Sequence, residues 1–267
     1  MNLAHIALAV GVTAVWGFGF VVSKEGVGLL PPLFFLGLRF ALVALLMAAF
    51  VKPPRGQIRP TLLISFTFGL GHFGLFYIGL SLGVEASTSA LLWLLQVPFA
   101  VLLAIVFLRD RPGWRGLLGI AVAVGGSVMM VGEPRIHANM WGVAAILASG
   151  LAWAVANIQI KRMGEVNAIS LTTWIAVFAA PQVLILSFVL ETGQVESLIT
   201  IDWRGLGAII YMSVGSTIFA YGGWYYLLRR YRVTQVTSFI LLVPLVGVVS
   251  AVLVLGDPLT VPTIIGG

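Results

Sequence analysis

Apolar residues in this chain come in long runs broken by short polar stretches. Nine runs read as helices that cross a membrane: 5–22, 32–51, 62–84, 87–108, 114–132, 139–160, 168–190, 205–228 and 235–255. A tenth begins near Val261 and stops at Gly267. A helix needs roughly 20 apolar residues to cross the hydrocarbon core. A barrel strand would be about half as long and would alternate apolar with polar positions. In lipid each segment must satisfy its own backbone, and a helix does so internally. The pattern predicts an all-α membrane protein.

The pattern also repeats. Val15-Trp16-Gly17 leads to Lys24, and Ala152-Trp153-Ala154 leads to Lys161, 137 positions further on in both cases. Pro98 recurs as Pro244, 146 positions on, and Leu108-Arg109-Asp110 recurs as Leu255-Gly256-Asp257, 147 positions on. The connection from Glu191 to Arg204, the longest in the chain, accounts for most of the growth in spacing. We read a ten-helix transporter of two five-helix repeats, residues 1–133 and 134–267, with the tenth helix incomplete. An odd number of spans threads the second repeat through the membrane in the opposite sense. Inverted repeats of this kind build one central site with two alternating exits.

Composition excludes a soluble alternative. The chain is 60% hydrophobic and 9% charged, with mean hydropathy +1.08. Soluble domains are about half apolar and about a quarter charged. The net charge of +6 does not point to nucleic acid, because the basic residues sit in short loops between apolar runs. Lys52, Arg55, Arg59, Arg109, Arg111, Arg115, Lys161, Arg162, Arg229, Arg230 and Arg232 fall on one side. Lys24, Arg135 and Arg204 fall on the other, among Glu85, Glu133, Glu191, Glu196, Asp202 and Asp257. That bias places the N-terminus in the cytoplasm. No Lys or Arg precedes the first run, which reads as a retained span rather than a cleaved leader. There is no cysteine, hence no disulfide and no thiolate metal site.

Candidate chemistry is sparse. Gly69-Leu70-Gly71-His72-Phe73-Gly74 fits the spacing of a dinucleotide fingerprint, but it lies mid-span with no acid about 20 positions on. Close helix packing explains these glycines better. His72 is the one histidine well inside a span. It is either a functional group or a neutral ring bonded to a neighbouring helix. Arg39 also lies inside a span, where we expect a structural pairing in preference to a bidentate grip on a carboxylate.

Polar and aromatic residues recur on single helix faces. Ser89, Trp93 and Gln96 share one on the fourth helix, and Ser149, Trp153 and Asn157 one on the sixth. Ser213, Thr217, Tyr221 and Trp224 share one on the eighth, and Thr13, Trp16 and Phe20 one on the first. Buried amides and hydroxyls need partners, so these faces should point inward. Interhelical bonding or interfacial anchoring is the plainer alternative for each face. Four together favour an aromatic, polar central cavity. Pro98 and Pro244 sit near the middle of matching helices, where a missing N–H frees a carbonyl for a substrate or simply kinks the helix.

The expected substrate-binding residues are Trp16, His72, Trp93, Gln96, Trp153, Asn157 and Tyr221, with Pro98 and Pro244 as helix breaks or gates. No carboxylate lies at the centre of a span, and no cysteine, paired carboxylates or histidine cluster is present in the membrane. We therefore expect no enzyme, no cofactor and no metal. The expected partners are a small-molecule substrate and membrane lipid, with protons a further candidate through His72. A non-transporting receptor or scaffold is the rival of another class, but no loop is large enough to form a soluble domain.

The stretches Val15 to Lys24, Pro31-Pro32, Gly37-Leu38-Arg39-Phe40, Trp153 through Asn157 to Lys161, Tyr221-Gly222 and Leu241 to Gly247 resemble the EamA branch of the drug/metabolite transporter superfamily. They are most similar to bacterial exporters of O-acetylserine and cysteine, with exporters of aromatic amino acids as relatives. The resemblance implies two inverted repeats around a cavity lined by helices 1, 3, 4, 6, 8 and 9. It implies export of amino acids and related metabolites across the bacterial inner membrane. An uncoupled facilitator of aromatic amino acids or amphipathic drugs is the alternative. Glutamates usual after the fourth and ninth spans are Asp110 and Asp257 here, which leaves a capping or gating role there open.

Overall fold

The computed structural model describes residues 1–108, 114–131, 140–228, 230–231, 235–236 and 238–266. Among these residues all regular structure is helical. The order is α1 (Leu3–Leu29), α2 (Pro32–Met47), α3 (Ile58–Ser81), α4 (Ala86–Phe107) and α5 (Trp114–Val131). Then follow α6 (Met140–Arg162), α7 (Ala168–Leu190), α8 (Trp203–Leu228), α9 (Phe239–Leu255) and α10 (Val261–Gly266). Six of them, α1, α3, α4, α6, α7 and α8, are long and apolar enough to cross a membrane. The expected Arg109, Asp110, Arg111, Glu133, Arg135, Arg229 and Arg232, and the repeat boundary at 133–134, lie outside the described residues.

Helix ends follow local chemistry. Asn2 caps α1 by accepting from the His5 N–H, and Asp202 caps α8 by accepting from Arg204 and Gly205. The first helix runs to Leu29, well past the expected end of its apolar run at 22. Lys24 is therefore inside α1. It is tolerated there because its Nζ donates to the Leu80 and Val84 carbonyls, each at 2.8 Å, around the end of α3. The chain leaves the helix at Leu30, ahead of Pro31, and Pro32 opens α2. The long connection before α8 holds a short helix of its own, Gln194–Ile199.

Packing reproduces the internal duplication. α2 packs on α7, and α5 on α10. α1 packs on α9 and α8, while α6 packs on α4 and α3. Exchanging every helix for its counterpart five places along maps this pattern onto itself, as a two-fold relation between inverted repeats requires. The central crossings depend on small residues. A Cβ on Gly17 would meet Val246 Cβ at 2.6 Å and the Val243 carbonyl at 2.7 Å, across α1 and α9. A Cβ on Gly79 would meet Ile146 Cγ1 at 2.6 Å and the Gly142 carbonyl at 2.8 Å, across α3 and α6. The glycines of α3 serve packing, as expected.

Backbone irregularities are duplicated too. α3 widens to π-helical geometry over Ser65–Gly74, and α8 does so over Tyr211–Phe219. α4 tightens to a 3₁₀ turn at Trp93–Leu95, and a matching turn at Ser238–Leu241 leads into α9. Such departures inside helices recur at functional sites. Leu45, Phe50, Val106 and Leu253 are exposed and form part of the lipid-facing exterior. Trp114, Trp141 and Trp203 are exposed at helix starts, where indoles anchor at the membrane interface.

Candidate functional site

The irregular segments of α3, α4 and α8 converge on one cavity of about 370 Å³. Trp16, His72, Trp93, Gln96, Trp153, Asn157 and Tyr221 all line it. Its lining reaches Ile160, Tyr225 and Ile240, close to the ends of α6 and α8 and the start of α9. Toward the opposite end it stops at Ser23 and Tyr77. The cavity thus runs through the middle of the bundle, and on α1 its lining falls between Trp16 and Ser23.

Bonding separates the lining from the glue. Most hydroxyls of the four polar faces are turned to backbone, and the buried Ser89 hydroxyl has no partner among the described residues. Thr13 donates to the Ala9 carbonyl, Ser149 to Ile146 and Ser213 to Ile209, all on their own helices. The tryptophans and amides of the same faces reach the cavity instead. Trp16 donates its indole N–H to the Ser216 carbonyl at 3.1 Å, inside the π-helical part of α8. Its ring meets Tyr221 edge-on, with centroids 5.1 Å apart. Asn157 donates to the Trp153 carbonyl at 2.8 Å, which leaves its oxygen for another partner.

His72 is bonded to a neighbouring helix, the second of the two readings considered for it, and it also lines the cavity. It is buried, and its Nδ1 lies 3.0 Å from the Ser149 carbonyl on α6. A carbonyl only accepts, so Nδ1 carries the proton in this bond, and Nε2 is the nitrogen left for a cavity ligand. The ring is also stacked on Phe68 at 5.5 Å. Gln96 is the most exacting residue of the site. It is 2% exposed, and its Oε1 has no hydrogen-bond partner. A buried acceptor left unmet costs roughly 1–3 kcal/mol.

Pro98 and Pro244 are buried but do not line the cavity. Their effect falls one turn earlier. Each lacks the N–H that would bond, in an α-helix, to the carbonyl four residues before it. Those carbonyls belong to Leu94 and Ile240, and both residues line the cavity. Asp257 accepts from the Ser87 N–H at 2.8 Å, so it joins the end of α9 to the start of α4. Its counterpart Asp110 lies outside the described residues.

One lining residue was placed elsewhere by sequence reasoning. Arg39 on α2, read there as structural, reaches the cavity wall. It is 2% exposed and donates to Thr217 through Nε at 3.3 Å and Nη2 at 3.1 Å, and to the Tyr77 hydroxyl through Nη1 at 3.2 Å. Its guanidinium also lies 4.5 Å from the Phe73 ring centroid. The helix set implied by resemblance therefore gains α2. The sequence did carry a signal, since Arg39 is a lone cation in an otherwise uncharged helix.

Comparisons with known proteins agree with this arrangement. The EamA-like transporter family matches residues 3–132 and again residues 140–267. A probable amino-acid metabolite efflux pump of Salmonella typhimurium is 34% identical over 262 residues, covering 95% of this chain and 87% of that protein. A protein of the same description from Escherichia coli is 32% identical, with the same coverage. A probable terminal-alkyne amino-acid exporter of Streptantibioticus cattleyicolor is 26% identical, covering 100% of this chain and 91% of that protein. A solved crystal structure superposes with a TM-score of 0.65 over 100% of this chain and 93% of that chain, at 15% identity, a likeness of fold alone. A multi-pass helical bundle of two inverted repeats, matched by one family in each half, leaves a single assignment: the chain belongs to the EamA-like transporter family.

Proposed function

We propose that this protein exports amino acids and related small metabolites across the bacterial inner membrane by alternating access. The observation that carries the proposal is the shared cavity, to which both repeats contribute aromatic faces and unspent polar groups. The names of the similar pumps and of the amino-acid exporter fit the same substrate class. Repeats within 1–133 and 134–267 would rock about the cavity.

Trp16, Trp93, Trp153 and Tyr221 would enclose the substrate side chain. Gln96, Asn157 and the Leu94 and Ile240 carbonyls would orient its polar head. The aromatic lining favours apolar and aromatic side chains within the class. No carboxylate occurs among the described residues of the lining. A proton-coupled cycle would run through His72, and a facilitator would need no such group.

Uptake of labelled amino acids into liposomes holding the purified full chain tests the reading, with and without a pH gradient. Saturable flux is the expected outcome, and its absence for every amino acid tried would remove the assignment. A gradient effect that vanishes in His72→Ala assigns proton coupling. No gradient effect in the native protein assigns a facilitator. Orientation is tested by single cysteines at the exposed Arg55 and Glu196, in a chain with no cysteine of its own. They should label from opposite faces, with Glu196→Cys reached from outside the cell.

A further inference from the structure

Arg39 poses a problem that its protein partners do not solve. A guanidinium is charged at any physiological pH and carries five N–H groups. Its bonds to described residues use three of them, two of which share the Thr217 oxygen. One N–H on each terminal nitrogen is left over. The acceptors in use are neutral hydroxyls, and the aromatic faces of Phe73 and Phe40 supply only a weak field. Among the described residues no carboxylate forms an ion pair with Arg39, and none lines the cavity. A cation buried without a counter-charge is expensive, the more so inside a membrane. Among the described residues no carboxylate neutralises the charge where it meets the cavity.

We propose that Arg39 is the carboxylate anchor of the cavity, so that this protein selects carboxylate-bearing solutes and rejects cationic ones. This rests on the reading of the cavity as an amino-acid route and fixes the orientation of the substrate within it. The leftover N–H on Nη1 and on Nη2 suits the two oxygens of one carboxylate, the geometry in which arginine binds most strongly. Thr217 and Tyr77 hold the plane of the guanidinium before the substrate arrives, which limits the entropy lost on binding. Gln96 lines the same cavity, and its unpaired Oε1 accepts hydrogen bonds only. A zwitterion would place its carboxylate at Arg39 and its ammonium toward Gln96. Amphipathic drugs with a cationic head would meet Arg39 as a like charge, so that alternative substrate class is disfavoured.

The test uses the full chain in detergent and in liposomes, with three probes of similar shape. L-Phenylalanine carries both charges, 3-phenylpropionate only the carboxylate, and L-phenylalaninamide only the ammonium. Binding is read from quenching of the cavity tryptophans, and flux from labelled phenylalanine. The native protein should bind both acids at least about tenfold more tightly than the amide. Arg39→Gln should erase that preference, and Arg39→Lys should keep part of it, since the charge remains without the fork. A folded Arg39→Gln protein that still prefers the acids by the native ratio overturns the anchor. If Arg39→Gln does not fold, the probes on the native protein decide, and equal binding of acid and amide overturns it. Native protein that binds none of the three overturns it as well. Arg39-dependent binding of 3-phenylpropionate without amino-acid flux would keep the anchor and reject the amino-acid reading.

Discussion

α3 and α8 are counterparts in the two repeats, and both leave α-helical geometry midway, at Ser65–Gly74 and at Tyr211–Phe219. α4 and the start of α9 share a 3₁₀ turn followed by a proline. Trp16 and Trp153 occupy matching places on α1 and α6, and both line the cavity. The side chains facing a ligand are otherwise unlike. Arg39, His72 and Gln96 all belong to the first repeat. α7, the counterpart of α2, has no charged residue, and Leu242 stands where symmetry would place a second Gln96. The second repeat contributes Asn157, hydroxyls and rings. Duplication preserved the backbone irregularities and left the side-chain chemistry free to diverge. A symmetric scaffold with an asymmetric wall suits an asymmetric solute, such as one with a carboxylate at one end.

The comparison can be broken most severely at its shared backbone. Gly17→Leu puts a side chain where even a Cβ would meet α9 at 2.6–2.7 Å. Overpacking of this kind costs roughly 1–3 kcal/mol, and more where backbone opposes backbone. The expected result is a large loss of monodisperse protein on size exclusion, with transport lost alongside.

The asymmetry itself is tested at Gln96 and Trp153. Gln96→Leu copies the second repeat into the first. It removes a buried unpaired acceptor, so the thermal midpoint in detergent should hold or rise, while flux falls about tenfold, equivalent to roughly 1.4 kcal/mol. Trp153→Ala should lower flux similarly at unchanged folded yield. Full flux in both variants would remove them from the site.

Smaller effects are expected where the repeats touch at helix ends. Asp257→Ala takes a charged acceptor from the N-terminus of α4 and should cost about 1 kcal/mol, read as a lowered thermal midpoint. Arg204→Ala breaks the 2.7 Å pair with Glu25, whose two side chains are 53% and 36% exposed. Exposed pairs of this kind are worth about 0.2–1 kcal/mol, so the midpoint should barely move, and less so in high salt.

Much of this was legible in the chain. Apolar runs set the helices, and the matched Trp16 and Trp153, and Pro98 and Pro244, announced the duplication. Seven residues chosen for polarity and helical spacing do line one cavity. Other features were hidden for physical reasons. Lys24 ended the first span on paper because a charge in lipid is costly, but carbonyls at the end of α3 accept its ammonium. Ser149 and Ser213 looked like lining, yet their hydroxyls bond back to their own helices. Spacing assigns a residue to a helix face, but it does not say which neighbour that face will meet.

The sequence by itself determined the solvent of this protein, its helices and its doubling, because hydrophobicity and period are properties of consecutive residues. Only the tertiary structure decided the site. Arg39, Tyr77 and Thr217 lie on three helices, and Gln96 is short of a donor only because of what packs around it. Whether a buried polar group is satisfied depends on distances between segments far apart in the chain, and a linear pattern does not contain them.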